Sequence, residues 1–192
     1  EAHGAMYKNL WSNGPKECIE FPDYTFEDHF GGPIPSYPPR EVILEYLTGR
    51  ADKYDVRRWI RFRTTVIFVT EDASSGRLAV TTRDEVKGVE VVELFDHVLV
   101  GSGMFDTPHV PSLPGLETFP GAVMHSRDFR DAARFAGQNV LLIGNSDSGV
   151  DLASQLYKYG AKAVGLSGRS GSTPYRWPDR VHLFSGLREL KS

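Results

Sequence analysis

The segment from Asn139 to Arg169 constrains the fold more than any other part of the chain. It reads NVLLIG, then NSDSGVDLASQLYKYG, then AKAVGLSGR: strand, glycine turn, helix, strand. An apolar run that enters a turn of small residues and continues as a helical repeat predicts one βαβ unit. Two parallel strands need a crossover of about this length between them. Val150, Ala153, Leu156 and Tyr157 recur at i, i+3, i+6 and i+7, so the helix has an apolar face to set against the sheet. The expected class is α/β.

The turn Gly144-Asn145-Ser146-Asp147-Ser148-Gly149 resembles a dinucleotide-binding fingerprint. Gly144 permits a tight exit from the strand, Ser146 stands where the backbone would meet a pyrophosphate, and Gly149 permits close packing of helix on strand. An ordinary βα turn that needs small residues has the same look, so the end of the second strand matters. That strand ends Ser167-Gly168-Arg169-Ser170, without a carboxylate. An acidic residue there would hold the ribose 2′-hydroxyl of NAD, whereas Arg169 offers a guanidinium fork to the 2′-phosphate of NADP. A solvated surface arginine is the plainer alternative. Gly144, Ser146, Asp147, Ser148, Gly149, Ser167, Arg169 and Ser170 are the candidate nucleotide-binding residues.

Residues 1–38 are rich in aromatics, Gly and Pro and show little periodicity. Two prolines then lead into Val42, Ile43, Tyr46, Leu47 and Ala51 at helical spacing, which predicts a helix over Pro39–Lys53. WIRFRTTVIFVTED, RLAVTTRD and VEVVELFDHVLVGSG are dense in β-branched residues and predict a small antiparallel excursion ending in a buried strand, Val98 to Val100. PHVPSLPGLETFPG carries prolines at 108, 111, 114 and 120, resists helix and strand alike, and reads as a linker. Beyond Gly168 the pattern dissolves. Trp11, Phe21, Tyr24, Phe26 and Phe30 are expected to pack in a core before lining a pocket. Asp151, Arg57 and Arg58 read as solvated surface charges.

Bulk properties exclude several classes. A net charge of -3 over 192 residues lacks the basic excess of a nucleic-acid binder. Cys18 is the single cysteine, which excludes an internal disulfide or a thiolate cluster and fits a reducing, cytoplasmic setting. No apolar run approaches the roughly 18 residues needed to span a bilayer, so no membrane segment is visible. The six histidines show no ligand spacing, and no metal site is expected.

Just before the βαβ unit stands Phe119-x-Gly121-x-x-x-His125-x-x-x-Phe129-Arg130. This matches the motif that identifies flavin-containing monooxygenases. It differs from the related Baeyer–Villiger pattern, in which a tryptophan replaces Phe129. WSNGPKE at 11–17, SGMFDTPHVPSLPG at 102–115 and PYRWPD at 174–179 resemble further segments of that family. Through SNGPKECIEFPDYTF, SYPPRE and SQLYKYGAK the chain is most similar to the trimethylamine monooxygenase group, from about Met6 to Asp179.

The resemblance implies a two-dinucleotide-binding-domain flavoprotein fold with Rossmann-like FAD and NADPH domains. Residues 1–116 would form part of the FAD-binding domain and 117–192 part of the NADPH-binding domain. It implies FAD and NADPH as cofactors and oxygenation of a soft nucleophilic nitrogen or sulfur of a small amine or sulfide by a C4a-hydroperoxyflavin formed with O2. The expected partners are that small molecule and O2, with a homodimer left open. Asn13 would be catalytic, bonding near the flavin peroxide and the nicotinamide ribose, although from spacing alone it is a turn residue in Asn13-Gly14-Pro15. Trp11, Ser12, Val66, Ser102 and Gly103 would join it in binding cofactor. His125 is expected to shape the interdomain connection and not to catalyse.

The sequence departs from the family at three points. No strand followed by Gly-x-Gly-x-x-Gly precedes Trp11, no second FAD half follows the βαβ unit, and Asp147 stands where the trimethylamine group usually carries tyrosine. Two expectations follow: a part of a larger monooxygenase that is inactive by itself, or a truncated, non-catalytic relative that at most binds NADP(H). A flavin-free NADPH reductase is disfavoured because no Tyr-x-x-x-Lys pair follows the turn.

Overall fold

The structure is a computed structural model that describes residues 6–103, 107–169 and 173–189. The chain separates into two compact units, one drawn from Glu1–Leu10 and Met104–Ser192, the other from Trp11–Gly103. The sequence-based division at 116 therefore lies inside the first of these, which also takes in the strap around Tyr7.

The Trp11–Gly103 unit begins with a short helix, α1 (Phe26–Phe30), and a longer one, α2 (Arg40–Lys53). Thr25 starts α1 through a capping box: its hydroxyl accepts from the Asp28 N–H at 3.0 Å while the Asp28 carboxylate accepts from the Thr25 N–H at 2.9 Å. Gly31 ends it in the left-handed region at φ 71°. The α2 helix lies where its periodicity predicts, with Pro39 as the residue before its first turn.

Tyr46 of α2 is fully buried against Phe26, with ring centroids 3.9 Å apart, and stacks on Tyr24 at 5.6 Å. Its hydroxyl donates to the Tyr24 carbonyl and accepts from the Phe21 N–H, so this buried polar group is satisfied on both sides. Tyr24, Phe26 and Tyr46 form the core of this unit, with Phe21 and Phe30 packed around them, as expected for these aromatics. Trp11 differs: half of its surface is exposed.

Three antiparallel strands follow, β1 (Thr64–Glu71), β2 (Leu78–Asp84) and β3 (Glu90–Phe95), paired in the order β1-β2-β3. The Asp72 and Asp84 carboxylates accept backbone N–H groups inside the two connecting turns and fix them. The predicted buried strand Val98 to Val100 is not formed. Leu99 is 98% exposed and Val100 85%. Their apolarity marks a surface in need of cover, but a strand also needs a hydrogen-bonded neighbour, and none of the described strands pairs with these residues.

In the other unit the predicted βαβ is present: β4 (Asn139–Ile143), α3 (Asp147–Lys158) and β5 (Ala163–Gly168), with β4 and β5 parallel. A further strand, β6 (Val181–Ser185), pairs in parallel with β5, so the order is β4-β5-β6. This corrects the expectation that regular pattern ends at Gly168. The five residues VHLFS are too short for periodicity to declare them, and the strand is defined by pairing Val181 with Val164 and Leu183 with Leu166.

Leu152, Ala153 and Leu156 of α3 enter one core with Val164, Leu166, Val181, Phe129 and Ala132. Val150 and Tyr157, expected on the same helix face, pack at its edge. Burial of Leu156 alone contributes about 1.5–3 kcal/mol. Among the described residues of the linker, 107–121 contain no helix or strand, in line with its prolines.

Candidate functional site

The C-terminal ends of β4 and β5 lie side by side, with Ile143 opposite Ser167 and the Gly144 N–H donating to the Ser167 carbonyl at 2.7 Å. The chain leaves β4 through Gly144 at φ 115°, a conformation that a side chain rarely adopts. A β-carbon on Gly149 would overlap the Gly144 carbonyl oxygen. The first turn of α3 thus passes directly over the strand exit, and both end glycines of the fingerprint have a geometric reason.

Ser146 precedes α3 in extended conformation and its hydroxyl makes no cap bond. The first-turn N–H groups of a 12-residue helix, with no side-chain cap on them, therefore face the open end of the sheet. This cradle fits a pyrophosphate, which such N–H groups and the helix dipole favour. Asp147 lies in the same first turn and is exposed.

On the neighbouring strand Ser167 is buried and Gly168 closes β5. Arg169 follows, exposed, with no hydrogen bond or ion pair to any described residue. Gly144, Ser146, Asp147, Ser148, Gly149, Ser167 and Arg169 are thereby gathered at one end of one sheet. Ser170 lies outside the described residues.

The motif residues of the linker serve packing. The His125 Nδ1 accepts from the Arg127 N–H at 3.1 Å and so caps a 3-10 turn, Ser126–Asp128. Phe129 is buried and stacks on Phe135. The Arg130 guanidinium donates to the Phe129 carbonyl at 2.9 Å and ties down the same corner. Gly121 lies under the Phe119 ring, which a β-carbon would meet.

A strap of residues 7–9 completes this corner and was not legible as such in the sequence. The Tyr7 hydroxyl donates to the Asp151 carboxylate on α3, and its ring stands edge-on to Phe129 at 5.2 Å. Burial, reinforced by the Asp151 hydrogen bond and charge, pushes the Tyr7 phenol far above its ordinary range. One helical turn on, the Gln155 amide donates to the Asn9 carbonyl, while the Lys8 N–H donates to the Arg130 carbonyl. The Ala133 N–H holds the Asp131 carboxyl below its usual range, with Lys8 adding to the effect. Asp151 is consequently a bonded group and not the free surface charge expected. Arg57 and Arg58 do lie exposed, paired with Asp52 and Asp55.

The remaining candidates belong to the Trp11–Gly103 unit. The Ser12 N–H donates to the Pro38 carbonyl at 2.9 Å and its hydroxyl to the Gly14 carbonyl, so the Trp11-Ser12-Asn13 segment is a fixed turn with Asn13 exposed. Val66 lies on β1 with its side chain exposed, at an irregularity of the β1 and β2 register. Ser102 and Gly103 are exposed. No hydrogen bond joins these three groups to one another among the described residues. The described residues hold no cluster of three His, Cys, Asp or Glu side chains able to bind a metal ion, and no helix long and apolar enough to cross a membrane.

A parallel sheet whose strand exit, helix start and neighbouring strand end form a glycine-walled cradle defines a dinucleotide-binding-type fold of the α/β class. The family model for flavin-binding monooxygenase-like proteins matches residues 1–177, and the chain belongs to that family. It is 53% identical over 177 residues to the trimethylamine monooxygenase of Methylocella silvestris, covering 92% of this chain and 39% of that protein. It is 49% identical to the trimethylamine monooxygenase of Roseovarius nubinhibens, covering 98% of this chain and 42% of the relative. Among solved structures it is similar to Tmm from Pelagibacter sp. strain HTCC7211, at 42% identity and a TM-score of 0.91, over 97% of this chain and 42% of that one. The chain thus spans about two fifths of the length of these relatives.

Proposed function

We propose that the chain contributes the NADPH-binding part of an NADPH- and FAD-dependent monooxygenase that oxygenates a soft nitrogen or sulfur of a small, trimethylamine-like molecule. The observation that carries this reading is the cradle at Gly144–Gly149 beside Arg169, in a chain 53% identical to a trimethylamine monooxygenase. The α3 N–H groups receive the pyrophosphate and Arg169 receives the 2′-phosphate. FAD, when bound, supplies the redox and oxygen chemistry. The chain's own residues bind, orient and exclude water.

Asn13 is proposed as the catalytic group of the Trp11–Gly103 unit. Its exposed carboxamide donates and accepts at once, which suits a position beside reduced flavin and the nicotinamide ribose. In a flavin-loaded preparation, Asn13→Asp places a negative charge there. NADPH oxidation should persist while N-oxide yield falls and hydrogen peroxide rises. Unchanged product and peroxide yields would reduce Asn13 to a turn residue. The 192 residues by themselves are proposed to bind NADP(H) and not to retain FAD, because the glycine-walled cradle at Gly144–Gly149 is assigned to the nicotinamide nucleotide.

A further inference from the structure

The second residue of the turn, Asn145, has a position that the fingerprint does not require. A β-carbon on Gly168 would overlap the Asn145 carboxamide, meeting its Cγ, Nδ2 and Oδ1 together. The whole side-chain amide of the pyrophosphate turn is therefore seated on the last residue of β5, one residue before Arg169. Gly168 is held on its other side as well, since its carbonyl accepts from the Gly186 N–H at 2.8 Å. Just ahead of it, the Ser167 carbonyl accepts from the Gly144 N–H. Gly168 has no positive φ, so its lack of a side chain answers to the seated amide and not to backbone strain.

We infer that Asn145, seated on Gly168, is a positioning residue that sets the strand end carrying Arg169 at a fixed offset from the pyrophosphate turn, and thereby sets the preference for NADP(H) over NAD(H). This rests on the proposed NADP(H) site. The two anionic groups of the nucleotide lie at fixed separation, so a guanidinium presented by an exposed strand end is useful only if that end is registered to the turn. The β4 and β5 pairing fixes the strands. The Asn145 amide extends that registration past the last paired residues, Ile143 and Ser167, and one residue beyond the Gly144 N–H bond to the Ser167 carbonyl.

Asn145→Ala removes the seated amide, and Gly168→Ala displaces it by occupying its seat. Both should raise the Kd of the purified chain for NADP+ by about tenfold, converted from ~1.4 kcal/mol. The Kd for NAD+, which has no 2′-phosphate to register, should move less than about twofold. The double variant Asn145→Ala/Gly168→Ala should be no worse than either single one, because both act through the same contact. In an Arg169→Ala background, Asn145→Ala should have no further effect on NADP+. Equal loss for the two nucleotides, additive losses in the double variant, or an unchanged NADP+ Kd would each overturn the inference and leave Asn145 a packing residue. A wild-type chain without preference for NADP+ would instead refute the underlying site before any variant is compared. Thermal unfolding of each variant separates a general loss of fold from a change in preference.

Discussion

The two three-stranded sheets are built on opposite plans. In β4-β5-β6 the central strand is buried at Val164 and from Leu166 to Gly168, and α3 covers it with Leu152, Ala153 and Leu156. In β1-β2-β3 only Val80 and Thr82 of the central strand are buried, while Val66, Phe68, Val91 and Val92 of the outer strands are each about half exposed or more. A parallel sheet with a covering helix brings its own core. The antiparallel sheet is held by its ladders and tight turns. The candidate site follows the same division. The turn proposed to hold the nucleotide is shaped by Gly144, Gly149 and Ser167, whereas Val66, Ser102 and Gly103 are exposed and linked by no hydrogen bond among the described residues.

Substitutions of matched chemistry in the two regions should break or sharpen this contrast. Leu156→Ala opens a cavity in the α3 core and should cost about 2–5 kcal/mol, read from denaturant unfolding of the chain. Arg169→Ala should leave stability untouched and cost ~1.5–3 kcal/mol of NADPH binding, the range for charge-assisted bonds, with NADH barely affected. Equal losses for both nucleotides would assign Arg169 to the fold. Tyr7→Phe keeps the ring on Phe129 and removes the hydroxyl from Asp151. It should lower stability by about 1.5 kcal/mol, the low end for a bond to a charged acceptor, because Asp151 keeps access to water. Phe68→Ser in β1 should change stability by less than about 0.5 kcal/mol. A loss comparable to that of Leu156→Ala would mean that this face packs against something as firmly as the α3 core does.

The same contrast explains what the sequence disclosed. The βαβ unit was legible because periodicity, small turn residues and a polar strand end all act locally on Asn139–Arg169. The α2 helix was legible for the same reason. Features fixed by distant pairing were not. β6 exists through its register with β5, seventeen residues earlier at Val164 and Val181, and carries too few residues to show a period. Asp151 looked like a surface charge because its partner Tyr7 lies 144 positions away. Val98 to Val100 read as a strand because apolarity is visible in a sequence while a pairing neighbour is not. The seat of Asn145 on Gly168 is invisible in the sequence because the two residues meet only once β4 and β5 pair.

The proposed function sets a preformed, NADP(H)-selective nucleotide site against a flavin site that the 192 residues alone do not complete. The direct test is to purify the chain, record its visible spectrum for bound flavin, and titrate it with NADP+ and NAD+ in parallel. The expected result is a flavin-free protein that binds NADP+ at least tenfold more tightly than NAD+, as ~1.4 kcal/mol or more from Arg169 requires. Stoichiometric FAD in the purified chain, or equal affinity for the two nucleotides, would contradict it.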